Sequence, residues 1–228
     1  MKITICIGGA ALAPEEIDAE VLRKTVQAIG EMVEAGHQVY VVVGGGGVAR
    51  KYIQRAREMG MSQAEQDKIG IAATRLNAQL LISALGKLAA PDVMTTAEAA
   101  ISASTKGLVP VMGGVSPGQT TDAVAAFLAM KSGSDLLIFI TDVDGIYAED
   151  PKKNPLAQKI EKMTTEELVK KFGGEKMIPG MKTVIDPLAS RLIHQYKINT
   201  VVIGKKDLDN LLNIASGGQH SGTTIVPV

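Results

Sequence analysis

The sequence predicts an α/β fold built on a mostly parallel sheet, and two observations carry that prediction. Short β-branched runs alternate with longer stretches of helical period along the whole chain. Two of the runs, Val39-Tyr40-Val41-Val42-Val43 and Leu136-Leu137-Ile138-Phe139-Ile140, are apolar at consecutive positions. A strand apolar on both sides is covered on both faces, as parallel strands flanked by helices are.

Taken in order, the first strand covers 2–7 and stops at Gly8-Gly9. Lys2 before it and Ala11-Leu12-Ala13 after it mimic a secretory signal. The apolar run falls short of the roughly 7 to 15 residues such a signal needs, so it reads as a buried strand. A helix over 19–35, a strand over 39–43 and helices over 48–59 and 65–86 follow. Next come a strand over 108–112, a helix over 121–132 and a strand over 136–140. The polar stretch 148–167, with Asp150-Pro151-Lys152-Lys153-Asn154-Pro155, reads as a turn or hairpin leading to a helix near Thr164. It marks a soft lobe boundary near 140–160 in what is otherwise one domain over 1–228. A helix over 184–195, a strand over 200–203, a helix over 208–214 and a strand over 223–226 complete the chain. Ile69, Ala73, Leu76 and Leu80 form one helical stripe, and Ile185, Ala189 and Ile193 another. With Ala72 and Leu81, the first stripe is wider than one sheet face needs, which suits either core burial or homo-oligomerisation.

Composition narrows the function. The 228 residues are 46% hydrophobic and carry 24 Lys+Arg against 24 Asp+Glu, so there is no charge excess to gather nucleic acid or an anionic membrane. No apolar stretch approaches the ~20 residues of a membrane span. The single Cys6 forms no internal disulfide, which points to a reducing, cytoplasmic setting. His37, His194 and His220 are too scattered for metal-ligand spacing, so no protein metal site is expected. With 3% aromatic residues and no Trp, a nucleotide site must rely on backbone and charge.

Glycines then mark where that site lies. Gly8-Gly9 follows Ile7, Gly44-Gly45-Gly46-Gly47 follows Val43, and Gly113-Gly114 follows Met112. In an open parallel sheet the ligand crevice lies outside the carboxyl ends of the strands, where glycine lets backbone N–H groups approach phosphate. A single Gly-Gly pair is equally a turn requirement. A run of four exceeds what a turn needs and reads as close approach to an anion.

Arg50, in the first turn after that run, is placed to grip a phosphate or to be an exposed helix arginine. Thr120-Thr121-Asp122 is either an N-cap or a ligand-binding pair of hydroxyls with an acid. Thr141-Asp142-Val143-Asp144-Gly145-Ile146-Tyr147 suits ribose hydroxyls or a magnesium-linked phosphate, and equally a self-satisfied turn. Asp67, taken alone, is a solvated helix charge. No Walker motif, no G-x-G-x-x-G opening a helix and no G-x-S-x-G elbow occurs.

Taken together, Ile7-Gly8-Gly9, Val41-Val42-Val43-Gly44-Gly45-Gly46, Thr120-Thr121-Asp122-Ala123 and Thr141 to Tyr147 resemble the amino acid kinase superfamily. Gly46 to Ile53, Asp67 to Ile71, Thr74 to Ala78, Pro117 to Ala126 and Val184 to Ala189 resemble its archaeal-type uridylate kinases. The resemblance implies an α/β/α sandwich that transfers the γ-phosphoryl group of ATP to UMP with Mg2+ and assembles as a hexamer. It implies ATP phosphates on Gly9, Ala10, Gly46 and Arg50, and the adenosine end on Thr141, Asp142, Tyr147 and Asp150. UMP is implied on Gly45, Asp67 and the loop Val115, Ser116, Pro117, Gly118, Gln119, Thr120 and Thr121. Many superfamily members carry a lysine where this chain has Cys6, although archaeal uridylate kinases lack it too. They carry a serine where it has Ala10, and Lys or Asn where it has Asp142. Gly180-Met181-Lys182 resembles the late lysine of superfamily kinases, which makes Lys182 the catalytic candidate. The alternatives are another small-acid or small-phosphate kinase of the superfamily, and a non-catalytic nucleotide- or oxyanion-binding relative.

Overall fold

The computed structural model describes residues 1–149, 151, 153–174 and 184–228. Its main sheet contains β1 (Lys2–Ile7), β2 (Gln38–Val43), β3 (Val111–Met112), β4 (Leu136–Thr141), β7 (Lys162–Thr164), β8 (Thr200–Gly204) and β9 (Thr223–Val226). The strand order is β3-β2-β1-β4-β8-β9-β7. All neighbours run parallel except β8 and β9. β5 (Ile146–Tyr147) and β6 (Lys159–Ile160) form a separate antiparallel hairpin, so the polar stretch after β4 is the excursion its turn residues suggest.

The helices are α1 (Gly9–Leu12), α2 (Ala19–Glu34), α3 (Gly46–Glu58), α4 (Gln63–Leu85), α5 (Ala97–Ser104), α6 (Thr121–Ser132), α7 (Thr165–Phe172), α8 (Pro187–Gln195) and α9 (Leu211–Ala215). They form layers on both sides of the sheet. Ile3, Ile5, Ile7, Val41 and Ile138 pack with α2, α4 and α9 on one face. Cys6, Val42, Leu137, Phe139 and Val202 pack with α5, α6, α7 and α8 on the other. Alternate side chains of each central strand therefore enter different cores, which is why 39–43 of β2 and 136–140 of β4 are apolar at consecutive positions. Each fully buried Ile or Leu contributes roughly 1.5–3 kcal/mol.

Three local readings differ from the structure. The 108–112 strand shortens to Val111–Met112. The 208–214 helix splits into a 3-10 turn, Lys205–Asn210, and α9. α5 is an element the sequence pattern does not announce, because its Ala/Ser-rich stretch has little amphipathic contrast. The helical stripes also part company. Ile185, Ala189 and Ile193 are buried, whereas on α4 Leu76 and Leu80 are 66% and 39% exposed. The buried side of α4 is Ala73, Thr74, Asn77, Ala78 and Leu81, rotated from the purely apolar stripe. The span Gln63–Leu88 is long and apolar enough to cross a membrane by length and composition alone. Its capping box between Ser62 and Glu65, together with the buried polar side chains Gln66, Thr74 and Asn77, fits a helix packed on protein.

Candidate active site

Two cavities open at the carboxyl ends of the parallel strands. The first, of about 260 Å³, lies between the β2–α3 glycine turn, α4 and the loop from β3 to α6. The second, of about 430 Å³, lies between the β1–α1 turn, the end of β4 and the end of α7, with Phe139, Ile140 and Phe172 as apolar wall. Gly9, Ala10, Arg50 and Thr121 line both cavities, so the two meet there.

The glycines at this junction answer first to the chain itself. A Cβ on Gly9 would sit 2.1 Å from the Gly46 nitrogen, and one on Gly44 would sit 2.4 Å from the Gly9 nitrogen. A Cβ on Gly47 would sit 2.4 Å from the Pro14 carbonyl oxygen. Gly46 adopts φ 65°, in the left-handed region. The run of four thus corrects the expectation that close approach to an anion alone explains it: two loops packed backbone to backbone exclude side chains. Arg50 donates from Nη2 to the Pro14 carbonyl at 2.8 Å, which fixes its guanidinium over the junction.

α4 holds the walls of the first cavity. Asn77 Nδ2 donates to the carbonyls of Gly44 at 2.9 Å and Gly45 at 3.2 Å. Thr74 Oγ1 accepts from the Gly114 N–H at 2.7 Å. Asp67 faces the cavity and accepts from the Gly118 N–H. These spacings leave a weak trace in sequence, polar residues on the packed side of an apolar helix, and their roles depend on loops about 30 to 50 residues away.

The sequence-derived candidates distribute as follows. Gly45, Gly46, Asp67, Ser116, Gln119 and Thr120 line the first cavity alone. Thr141, Asp142 and Tyr147 line the second. Gly46, grouped with the ATP phosphates by resemblance, thus lines the first cavity and not the second. Val115 and Pro117 instead line a shallow recess behind the loop, with Lys68 and Arg75. Asp150 and Lys182 lie outside the described residues.

Several polar groups here already have partners. Thr120 caps α6 by accepting from the Ala123 N–H at 3.2 Å, and its hydroxyl donates to Asp186. Asp186, buried, caps α8 through Ala189. Thr120 is therefore an N-cap that also lines the first cavity. Thr141 closes a local turn with Val143. Asp144 accepts from the Tyr147 hydroxyl at 2.5 Å, from Lys206 Nζ at 2.7 Å and from Lys159 Nζ at 3.3 Å. Partial burial opposes its ionisation, yet hydrogen bonds from Lys206, Tyr147 and Lys159 hold the carboxyl well below the usual carboxylate range. Asp144 is thus a tie between the hairpin, the second cavity and the end of β8.

Asp122 lines the second cavity from a partly buried position. Burial, then the Asp186 carboxylate, pushes its pKa up to about 7, against hydrogen bonds from Cys6 and the Asp186 backbone. The Cys6 thiol, 3.6 Å from Asp122 Oδ1, is raised well above its ordinary value by burial and by Asp122, so it stays a thiol. Among the described residues no group of three His, Cys, Asp or Glu side chains could cage a metal ion.

Residues 1–204 match the amino acid kinase family. Over 227 residues and the full length of both chains, the protein is 44% identical to a uridylate kinase of Thermococcus kodakarensis and 44% identical to one of Pyrococcus abyssi. The crystal structure of uridylate kinase from Archaeoglobus fulgidus superposes with a TM-score of 0.85 at 40% identity, covering 99% of this chain and 100% of that one.

Proposed function

We propose that this chain, which belongs to the amino acid kinase family, transfers the γ-phosphoryl group of ATP to UMP. An oxygen of the UMP phosphate attacks the γ-phosphorus, the bond from that phosphorus to the β,γ-bridging oxygen breaks, and UDP and ADP leave. The observation that carries this reading is the junction of two cavities at Gly9, Ala10, Arg50 and Thr121, with names of uridylate kinases on relatives that align end to end. Phosphoryl transfer needs in-line placement and positive charge more than covalent chemistry. Two phosphates brought to one guanidinium and one set of turn amides meet that need.

UMP occupies the first cavity, with a ribose hydroxyl on Asp67 and the base against the loop 115–121. ATP occupies the second, its phosphates at Gly9, Ala10 and Arg50 and its adenosine toward Thr141, Asp142, Tyr147 and Asp150. Lys182 supplies charge to the migrating phosphoryl group. Mg2+, arriving with ATP, neutralises phosphate charge when bound. Residues 1–228 act as one domain in the cytoplasm, and the protein assembles as a hexamer.

A coupled ADP-release assay with UMP, CMP, acetylglutamate and isopentenyl phosphate tests the reading. UMP is expected to be the preferred acceptor. Turnover of acetylglutamate exceeding that of UMP overturns it, and nucleotide binding without turnover of any acceptor identifies a binding-only relative.

A further inference from the structure

The loop that follows β3 is held from behind as well as from within. Arg75 Nε donates to the Gly114 carbonyl at 3.1 Å, and its Nη2 reaches the Val115 carbonyl at 3.5 Å. On the neighbouring residue of the same helix, Thr74 accepts from the Gly114 N–H. Gly114 is therefore fixed at both its donor and its acceptor, and the next carbonyl is fixed with it. Arg75 does not line the first cavity; with Val115 and Pro117 it lines the recess behind the loop, while Gly114, Ser116 and Gln119 face the cavity. We propose that Arg75 is a positioning residue: its planar fork sets the carbonyls of Gly114 and Val115 so that the cavity-facing groups of the loop meet UMP in the right place. A guanidinium suits this task because it offers two donors in one rigid plane, whereas a lysine ammonium reaches one carbonyl as a point charge.

The proposal rests on the uridylate reading of the first cavity. It separates binding of the acceptor from binding of the donor, because Arg75 has no place in the second cavity. The test compares wild type, Arg75→Met and Arg75→Lys by steady-state kinetics and by hydrogen exchange of the peptide containing residues 113–119, with melting curves confirming the folded state. Displacements of about 1 Å at such a site cost up to a hundredfold. Arg75→Met is expected to raise KM for UMP about tenfold with KM for ATP within about twofold of wild type. Arg75→Lys should fall between the two. In Arg75→Met, the 113–119 amides should exchange faster without any nucleotide present. KM for UMP unchanged in both variants, or an equal rise of both KM values, overturns the proposal. Should the wild type turn over no UMP, the substrate reading fails and the exchange data alone decide: unchanged protection of 113–119 overturns the positioning role. Should Arg75→Met not fold, Arg75→Lys carries the same comparison.

Discussion

Asp67 accepts a hydrogen bond from the Gly118 backbone N–H at 2.8 Å, tying α4 to the far side of the loop that faces it. The same carboxylate lines the first cavity, where the proposed function sets a ribose hydroxyl of UMP against it. Hydrogen bonds to charged groups are worth about 1.5–3 kcal/mol. Asp67→Ala should therefore raise KM for UMP roughly ten- to a hundredfold while KM for ATP stays near wild type. Asp67→Asn, which keeps an acceptor for Gly118, should lose less. Equal KM values for UMP in wild type and Asp67→Ala would remove Asp67 from the acceptor site.

Arg50 lines both cavities. Arg50→Ala should raise KM for ATP and for UMP together, and more than it lowers kcat, because a phosphate anchor acts in ground and transition states alike. A change confined to one nucleotide would assign Arg50 to that cavity only.

Lys182 is expected to behave differently in kind. Losing one preorganised charge at the migrating phosphoryl group costs on the order of 3 kcal/mol, about a hundredfold in rate. Lys182→Ala should lower kcat and kcat/KM together with little change in KM. A kcat within about twofold of wild type refutes the catalytic role.

How far this site could be read from sequence depended on how local each cause is. β2 and β4 were legible because burial on both faces writes itself into consecutive residues. The glycine turns were legible as positions, but their reason was not: the clash of Gly9 with Gly46 appears only when β1 and β2 lie side by side. Asn77 and Thr74 look like unremarkable polar residues until the loops they hold are brought across about 30 to 40 residues of sequence. The stripe on α4 left core burial and an oligomer contact both open for a related reason. Its packed side is partly polar because it binds backbone, which leaves Leu76 and Leu80 facing outward.

That outward face bears on assembly. We expect a homo-oligomer whose contacts include Leu76 and Leu80. Light scattering of wild type should give a mass several times the 23.9 kDa of one chain, and Leu76→Glu should reduce it without unfolding the protein. A wild-type monomer at micromolar concentration refutes this.

Asp122 links stability to pH. Its pKa of about 7 in the folded protein lies above the ordinary 3.8, so the folded state holds a proton that the unfolded state has released. The associated stabilisation is fully present below about pH 4 and is lost as pH rises through about 7, with an upper bound on the order of 4 kcal/mol. Denaturant unfolding from pH 5 to 8 should show wild type losing stability relative to Asp122→Asn, which cannot titrate. Parallel stability curves for the two proteins would contradict the assignment.

The interlocked turns at Gly9, Gly44, Gly46 and Gly47 carry an evolutionary consequence. Since each would drive a methyl group into neighbouring backbone, none can drift on its own, whether or not nucleotides are still processed. A paralogue that had lost its transferase activity would keep the same glycines as the condition of closing its fold. A glycine signature at these turns therefore reports the fold, and the test of a working enzyme falls on the side chains that line the cavities, Arg50 and Asp67 first among them.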